Sequence, residues 1–285
     1  MSYGQVSPEG QAAPTCFRHP QTISFVSCNR CGRPVCPQCQ VSAPVGVQCV
    51  ECVAQANKRL PQQKTQFGGR LRAGAPIVTY TFIGLNVLVY VLQWVIPGLT
   101  NQLVLAPALA AYEPWRLITS AFAHSTSSLL HLAMNMYGVY IFGTMLEPRM
   151  GRLRFTWLYL LSAFGGSLGI LLLSAPLSAT LGASGALAGL FLATFVVFRS
   201  NKQALRSMGI ILALNVALGF FVQSISWQGH LGGAILGILA ACCIVLIPRS
   251  NPQRARIQIL LLTALSVALL TGIYVSTEAV KWPLG

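Results

Sequence analysis

The sequence predicts an all-α polytopic membrane protein preceded by a small metal-stabilised domain. Three observations lead there. The chain has 285 residues, of which 54% are hydrophobic and only 8% charged, whereas soluble domains are roughly one quarter charged. From Pro76 onward, apolar segments of about the 20 residues needed to cross a bilayer follow one another. Ahead of them, seven of the nine cysteines crowd residues 16–52.

Spans are expected near 76–97, 127–146, 153–174, 184–199, 207–223, 229–247 and 257–276, the fourth and fifth being short. An odd number of spans puts the termini on opposite sides, and the charges say which. Lys and Arg collect on the cytoplasmic side of membrane proteins. With the N-terminus inside, all of the 19 basic residues lie inside except Arg116 and Lys281. The net charge of +14 is thereby a topology signal, and nucleic acid is not expected as a partner. The expected place is the plasma (inner) membrane, multi-pass, with a cytoplasmic N-terminus and an external C-terminus. Between the first two spans, "GLTNQLVLAPALAAYEPWRLITSAFAHSTSS" is too polar to span and too apolar to float, so a partly embedded loop is expected.

The rest of the chain divides by composition. Residues 1–15, rich in Gly, Pro, Ser and Gln, read as a disordered leader. Residues 53–75 read as a basic linker, 76–276 as the membrane domain and 277–285 as a short external tail. The leader has no apolar h-region, so the cysteine block is expected in a reducing compartment. There, clustered cysteines hold metal more often than they pair as disulfides.

The block reads C16-x2-H19, C28-x2-C31, C36-x2-C39, C49-x2-C52. Eight ligands in four pairs suffice for two tetrahedral zinc ions. Only four residues separate the second and third pairs, so an interleaved set is expected. Cys16, His19, Cys36 and Cys39 would hold one ion, and Cys28, Cys31, Cys49 and Cys52 the other. The pattern resembles B-box-like cross-braced zinc modules. With no open coordination position, both ions would be structural, and so small a domain would need them to fold. A cytoplasmic protein is the expected partner of this zinc module. Cys242 and Cys243, in an apolar run, read as buried packing residues.

Polar residues inside spans are costly and by default suggest function. "ATLGASGALAGLF" sets Ser184 between two glycines at the head of the fourth span, and "WQGHLGGAILG" sets His230 at the head of the sixth. Ser184 is followed by Gly185 and Gly189, and His230 by Gly233 and Gly237. Both are small-residue patterns that let membrane helices approach closely. The two spans start on the same side, so a hydroxyl and an imidazole can meet at equal depth, as covalent catalysis requires. In the second span, His131 and Asn135 share one helix face and suit an oxyanion hole, to which the Ser184 N–H can add a donor. His124 lies just before that span. Taken alone, a membrane-helix serine is usually a packing residue. A transporter would also use broken helices, but here there is no internal repeat and no carboxylate to couple an ion.

"EPWRLITSAFAH", "HLAMN", "GASG" with Gly189, and "GHLGGAILG", in that order over residues 76 to about 276, resemble the signature segments of rhomboid intramembrane serine proteases. The resemblance implies a six-helix core with a seventh C-terminal helix. It implies that Ser184 is the nucleophile, His230 the general base, His131 and Asn135 the oxyanion-side pair, and Trp115 and Arg116 the loop motif. Where many members carry an aromatic residue four positions after the serine, this chain has Ala188. There is no aspartate, and the glutamates are Glu9, Glu51, Glu113, Glu147 and Glu278. A Ser–His dyad is therefore expected, without the carboxylate of soluble serine proteases. No cofactor is expected for catalysis. The substrates implied are single-span or polytopic membrane proteins in the lipid bilayer. The alternative is a catalytically inactive relative that binds or retains membrane clients.

Overall fold

The computed structural model describes residues 13–59, 63–72, 74–221 and 226–280, with the side chains of 59 and 212–221 left out. Most of the expected leader, the last two residues of the span at 207–223, and Lys281 with the tail after 280 lie outside the described residues. The chain forms two compact units, Met1–Gln62 and Gln63–Gly285.

The first unit is built from short pieces around cysteines. Strands β1 (Thr15–Cys16) and β2 (His19–Ile23) pair antiparallel, as do β3 (Gln40–Ser42) and β4 (Val47–Cys49). Helix α1 (Val50–Arg59) follows. The core consists of six cysteines and Val35, far too little apolar surface to offset the entropy of ordering the chain. Something other than hydrophobic burial must hold this unit together.

The second unit is helical: α2 (Ile77–Val95), α3 (Leu99–Leu103), α4 (Arg116–Thr119), α5 (Leu129–Met150), α6 (Arg152–Leu173), α7 (Ser184–Val197), α8 (Lys202–Phe221), α9 (Trp227–Val245) and α10 (Arg254–Ala279). Among the described residues, α2, α5, α6, α9 and α10 are long and apolar enough to cross a membrane, and α7 is a shorter apolar helix. The chain is a multi-pass membrane protein. Helices α8 and α10 begin at Lys202 and Arg254, earlier than the expected spans at 207 and 257. Basic residues end the apolar window but not the helix, because Lys and Arg are good helix formers.

Glycine sets the spacing at the centre of the bundle. Helices α6, α7 and α9 meet where a Cβ on Gly233 would stand 2.0 Å from the Gly185 carbonyl oxygen, and one on Gly237 2.3 Å from the Gly189 Cα. On the α6 side, a Cβ on Gly232 would stand 2.1 Å from the Gly165 carbonyl oxygen. No larger residue fits at these contacts, which are backbone against backbone.

Polar side chains seal the helix ends. The Glu147 carboxylate, 3% exposed in the last turn of α5, accepts from the Val78 and Thr79 N–H groups and from Thr79 Oγ1 at 3.1, 2.8 and 2.8 Å. These N–H groups are orphan donors at the start of α2, where the helix dipole favours an anion. Gly151, with φ +83°, reverses the chain between α5 and α6. Residues 63–72, within the segment expected as linker, form a hairpin of this unit. Thr65 N donates to Gly69 O and Leu71 N to Gln63 O, and buried Phe67 joins the membrane core. Gln258, fully buried, ties α10 to that hairpin and to α9 by donating to the Phe67 and Ile244 carbonyls.

Candidate active site and metal clusters

Ser184 is the first residue of α7, and the segment leading to it is pinned by three backbone hydrogen bonds. Leu105 and Thr180 exchange backbone hydrogen bonds of 2.9 and 2.8 Å, and Gly182 N donates to Ser120 O at 2.8 Å. Gly182, at φ +122°, has a backbone conformation closed to other residues. The Leu105 side of this contact is itself anchored. Arg116, 5% exposed, pairs with Glu113 and donates to the Val104 carbonyl at 2.7 Å, while Trp115 Nε1 donates to Gln102 O. The loop between the first two spans is thus an ordered frame for the chain entering Ser184.

His131 lies in the first turn of α5, which is capped by Ser128 accepting from the His131 N–H. Its Nδ1 accepts from the Ser125 N–H at 3.5 Å. In the neutral ring the proton then sits on Nε2. That atom borders Gly182: a Cβ built there would be 3.1 Å from His131 Nε2 and 3.8 Å from Ser184 Oγ. Serine hydroxyl and histidine Nε2 therefore both lie beside the same glycine. Asn135 is 5% exposed; its Nδ2 donates to the His131 carbonyl at 2.8 Å, and its buried Oδ1 has no partner.

His230 stands in the first turn of α9, half-buried. That turn meets the first turn of α7, since a Cβ on Gly185 would be 3.1 Å from the Gly229 carbonyl oxygen. Ser184 and Gly185 from α7, Gly229 from α9 and Ser226 just before α9 help to wall one cavity of ≈ 30 Å³, room for a water molecule. No hydrogen bond joins Ser184 Oγ to the His230 ring among the described residues. Catalytic contacts in free enzymes are often long and tighten only with substrate. Nor does any described carboxylate or aromatic ring touch His230; Ala188, one turn beyond Ser184, presents only a methyl group.

Sequence reasoning gave His124 no role. It is fully buried, 5.2 Å ring to ring from His131, and its backbone N–H and C=O are both bound by the side chain of Gln93 at 3.0 Å. Its Nδ1 donates to the Phe122 carbonyl at 3.2 Å, leaving Nε2 buried without a partner. Burial, with His131 as a lesser cause, pushes its pKa down to about 4, so the ring is neutral. Gln93, an amide in the apolar span α2, was the one available signal.

In the first unit, Cys16, His19, Cys36 and Cys39 form one cluster, and Cys28, Cys31, Cys49 and Cys52 another, each with its ligand atoms within 4.8 Å of one another. His19 Nδ1 lies 3.9, 3.3 and 3.5 Å from the sulfurs of Cys16, Cys36 and Cys39, and Cys31 Sγ lies 3.8 Å from Cys49 Sγ. Sulfurs bonded as disulfides would be about 2.05 Å apart, and all nine cysteines are free. Both clusters could hold a metal ion. At Cys28, burial opposes ionisation, but N–H donors from Cys49, Arg30 and Cys31 outweigh it and bring the thiol to about 6. Cys52 is pushed up to about 12, first by hydrogen bonding to Cys49 and then by burial. Without a cation Cys52 therefore keeps its proton, whereas a bound ion would favour the thiolate at every ligand cysteine.

Residues 111–247 match the rhomboid domain model. The chain carries a rhomboid domain. It is 34% identical to Rhomboid protease GluP of Bacillus subtilis (strain 168) over 225 residues, which are 75% of this chain and 43% of that protein. It is 36% identical to RHOMBOID-like protein 6, mitochondrial, of Arabidopsis thaliana, over 50% of this chain and 48% of the relative. Rhomboid-like protease 3 of Toxoplasma gondii is 33% identical over 48% of this chain and 54% of the relative. The chain thus spans about half the length of these relatives. The rhomboid domain contains Ser184, His230, His131, Asn135 and the Trp115–Arg116 loop, and the metal clusters lie outside it.

Proposed function

We propose that the protein is an intramembrane serine endopeptidase that cleaves membrane proteins through a Ser184–His230 dyad. The observation that carries this reading is the convergence on Gly182 and Gly185. The Ser184 hydroxyl and His131 Nε2 flank the first, while the second draws the His230 turn against the Ser184 turn. His230 takes the Ser184 proton as Oγ attacks the scissile carbonyl. It then returns the proton to the leaving amine, and a water in the adjoining cavity hydrolyses the acyl-enzyme. His131 Nε2–H and Asn135 Nδ2 supply donors to the oxyanion. Asn135 suits the task because one amide hydrogen is fixed on the His131 carbonyl while the side chain stays buried. A dyad is consistent with the glutamates: Glu113 is held by Arg116, Glu147 caps α2, and Glu51 pairs with Arg33 in the other unit. Substrates are single-span or polytopic proteins whose helices unwind locally, since helical carbonyls are already bonded.

The metal is zinc. Zn–S bonds of about 2.3 Å and Zn–N bonds of about 2.0–2.1 Å in a tetrahedron put neighbouring ligand atoms roughly 3.5–3.8 Å apart, and the four pairs given above lie at 3.3–3.9 Å. With four protein ligands at each ion, the pair of ions stabilises the module and takes no part in the reaction. The module and the basic loops face the cytoplasm and the C-terminus lies outside, in the plasma (inner) membrane, and a cytoplasmic protein is the module's partner.

The test is cleavage of a model single-span substrate by protein purified in detergent. Wild type is expected to cleave, and Ser184→Ala and His230→Ala to be at least ~10³-fold slower. Equal cleavage by wild type and Ser184→Ala removes the dyad. No cleavage by either, with substrate still captured, favours the inactive, client-binding alternative.

A further inference from the structure

Three guanidinium groups converge at the basic end of the membrane unit, and among the described residues no carboxylate pairs with any of them. Arg249 Nε and Arg254 Nη1 both donate to one acceptor, the Gln66 carbonyl, at 3.3 and 3.4 Å. Arg154, 9% exposed, approaches the same hairpin from α6. A Cβ built on Gly68 would stand 3.7 Å from Arg154 Nη2 and 3.9 Å from Arg254 Cδ. Their present partners are neutral. Arg154 rests on Gln258 Oε1, the Gln66 oxygen serves two arginines, and Arg254 Nε is buried without a partner. Arginines that only mark topology would extend into water, where no counter-ion is needed; a sealed guanidinium nitrogen is costly unless it is paired. The first turn of α10 holds no acidic residue, so its positive dipole end adds to the repulsion.

We propose that this cluster is a phosphate-binding site that takes the headgroup of an anionic phospholipid. It lies where the α9–α10 turn leaves the bilayer, the level at which headgroup phosphates lie. Further along α10, Leu260 and Leu261 are 68% and 42% exposed, an apolar face against which acyl chains can lie. The phosphate supplies the charge the chain does not, and it clamps the hairpin carrying Phe67 to α6 and α10.

Thermal unfolding of the full chain in neutral detergent tests this, with titrations of short-chain phosphatidylglycerol, phosphatidylcholine of the same chain length, and inorganic phosphate. Phosphatidylglycerol is expected to raise the melting temperature saturably and phosphatidylcholine not to. Inorganic phosphate is expected to give a similar shift only at far higher concentration. Arg249→Gln, at an exposed position, and Arg249→Gln with Arg254→Gln are expected to raise the half-saturating lipid concentration about tenfold or more. Arg256→Gln removes the same charge two residues on, on another face of α10, and is expected to leave it unchanged. Equal shifts from the two lipids, or equal weakening by Arg249→Gln and Arg256→Gln, would overturn the site. Inorganic phosphate matching phosphatidylglycerol at equal concentration would overturn the lipid in favour of free phosphate.

Discussion

The buried histidine beside the site ties proton binding to stability. The His124 pKa falls to about 4 in the folded chain, through burial and then His131, against about 6.5 when unfolded. Between those values the unfolded chain binds a proton that the folded chain does not. Stability is therefore full above about pH 6.5, declines as pH falls toward about 4, and levels off below. The melting temperature should follow that course, and His124→Gln should flatten it; an unchanged slope in the variant would assign the dependence elsewhere. Glycine gives a second prediction at this scale. A methyl group at Gly233 would stand 2.0 Å from a backbone oxygen of α7, so Gly233→Ala must push α7 and α9 apart. It should cost ~1–3 kcal/mol of stability in a detergent unfolding titration, and it should slow cleavage further because Ser184 and His230 stand on the two turns being separated.

At the scale of elements, the five long apolar helices among the described residues were legible because a long apolar run is close to a sufficient signal for a membrane helix. What joins their ends was not. Glu147 at the end of the second span gave no sign that its partners were Val78 and Thr79, 68 or more residues earlier in the chain. The segment around Phe67 read as linker because Lys, Gln and Gly dominate it, and one phenylalanine makes no periodic pattern. Gln258 binds the Phe67 and Ile244 carbonyls, contacts that follow from tertiary placement alone. The Glu147 cap carries its own expectation. Glu147→Gln keeps the shape but weakens three charge-assisted hydrogen bonds at the start of α2, and should cost ~1–3 kcal/mol in the same unfolding assay. A variant as stable as wild type would show that solvent serves those donors equally well.

Across the whole molecule, two kinds of stabilisation are present in one chain. The membrane unit relies on close glycine contacts and sealed polar ends, and the cysteine unit on its ligand clusters. The four-pair spacing was readable as two interleaved sets because ligand chemistry restricts the choices so strongly. The meeting of the α7 and α9 first turns at Gly185 and Gly229 was readable only as far as equal depth and small flanking residues allowed. The Gly182 conformation, the His131 tautomer and the Gln93 clamp on His124 depend on loop geometry that no sequence pattern encodes. Metal analysis of the full chain should find about two zinc per chain. Chelation should unfold the cysteine unit while leaving the helical signal of the membrane unit in place; a unit that stays folded without metal would refute the assignment.

The nucleophile can be tested without any substrate, by treating the purified protein with a fluorophosphonate and mapping the adduct by mass spectrometry. The dyad predicts one covalent adduct, on Ser184, that disappears in His230→Ala although the hydroxyl is still there. An unmodified Ser184 in wild-type protein, or equal modification with and without His230, would contradict it.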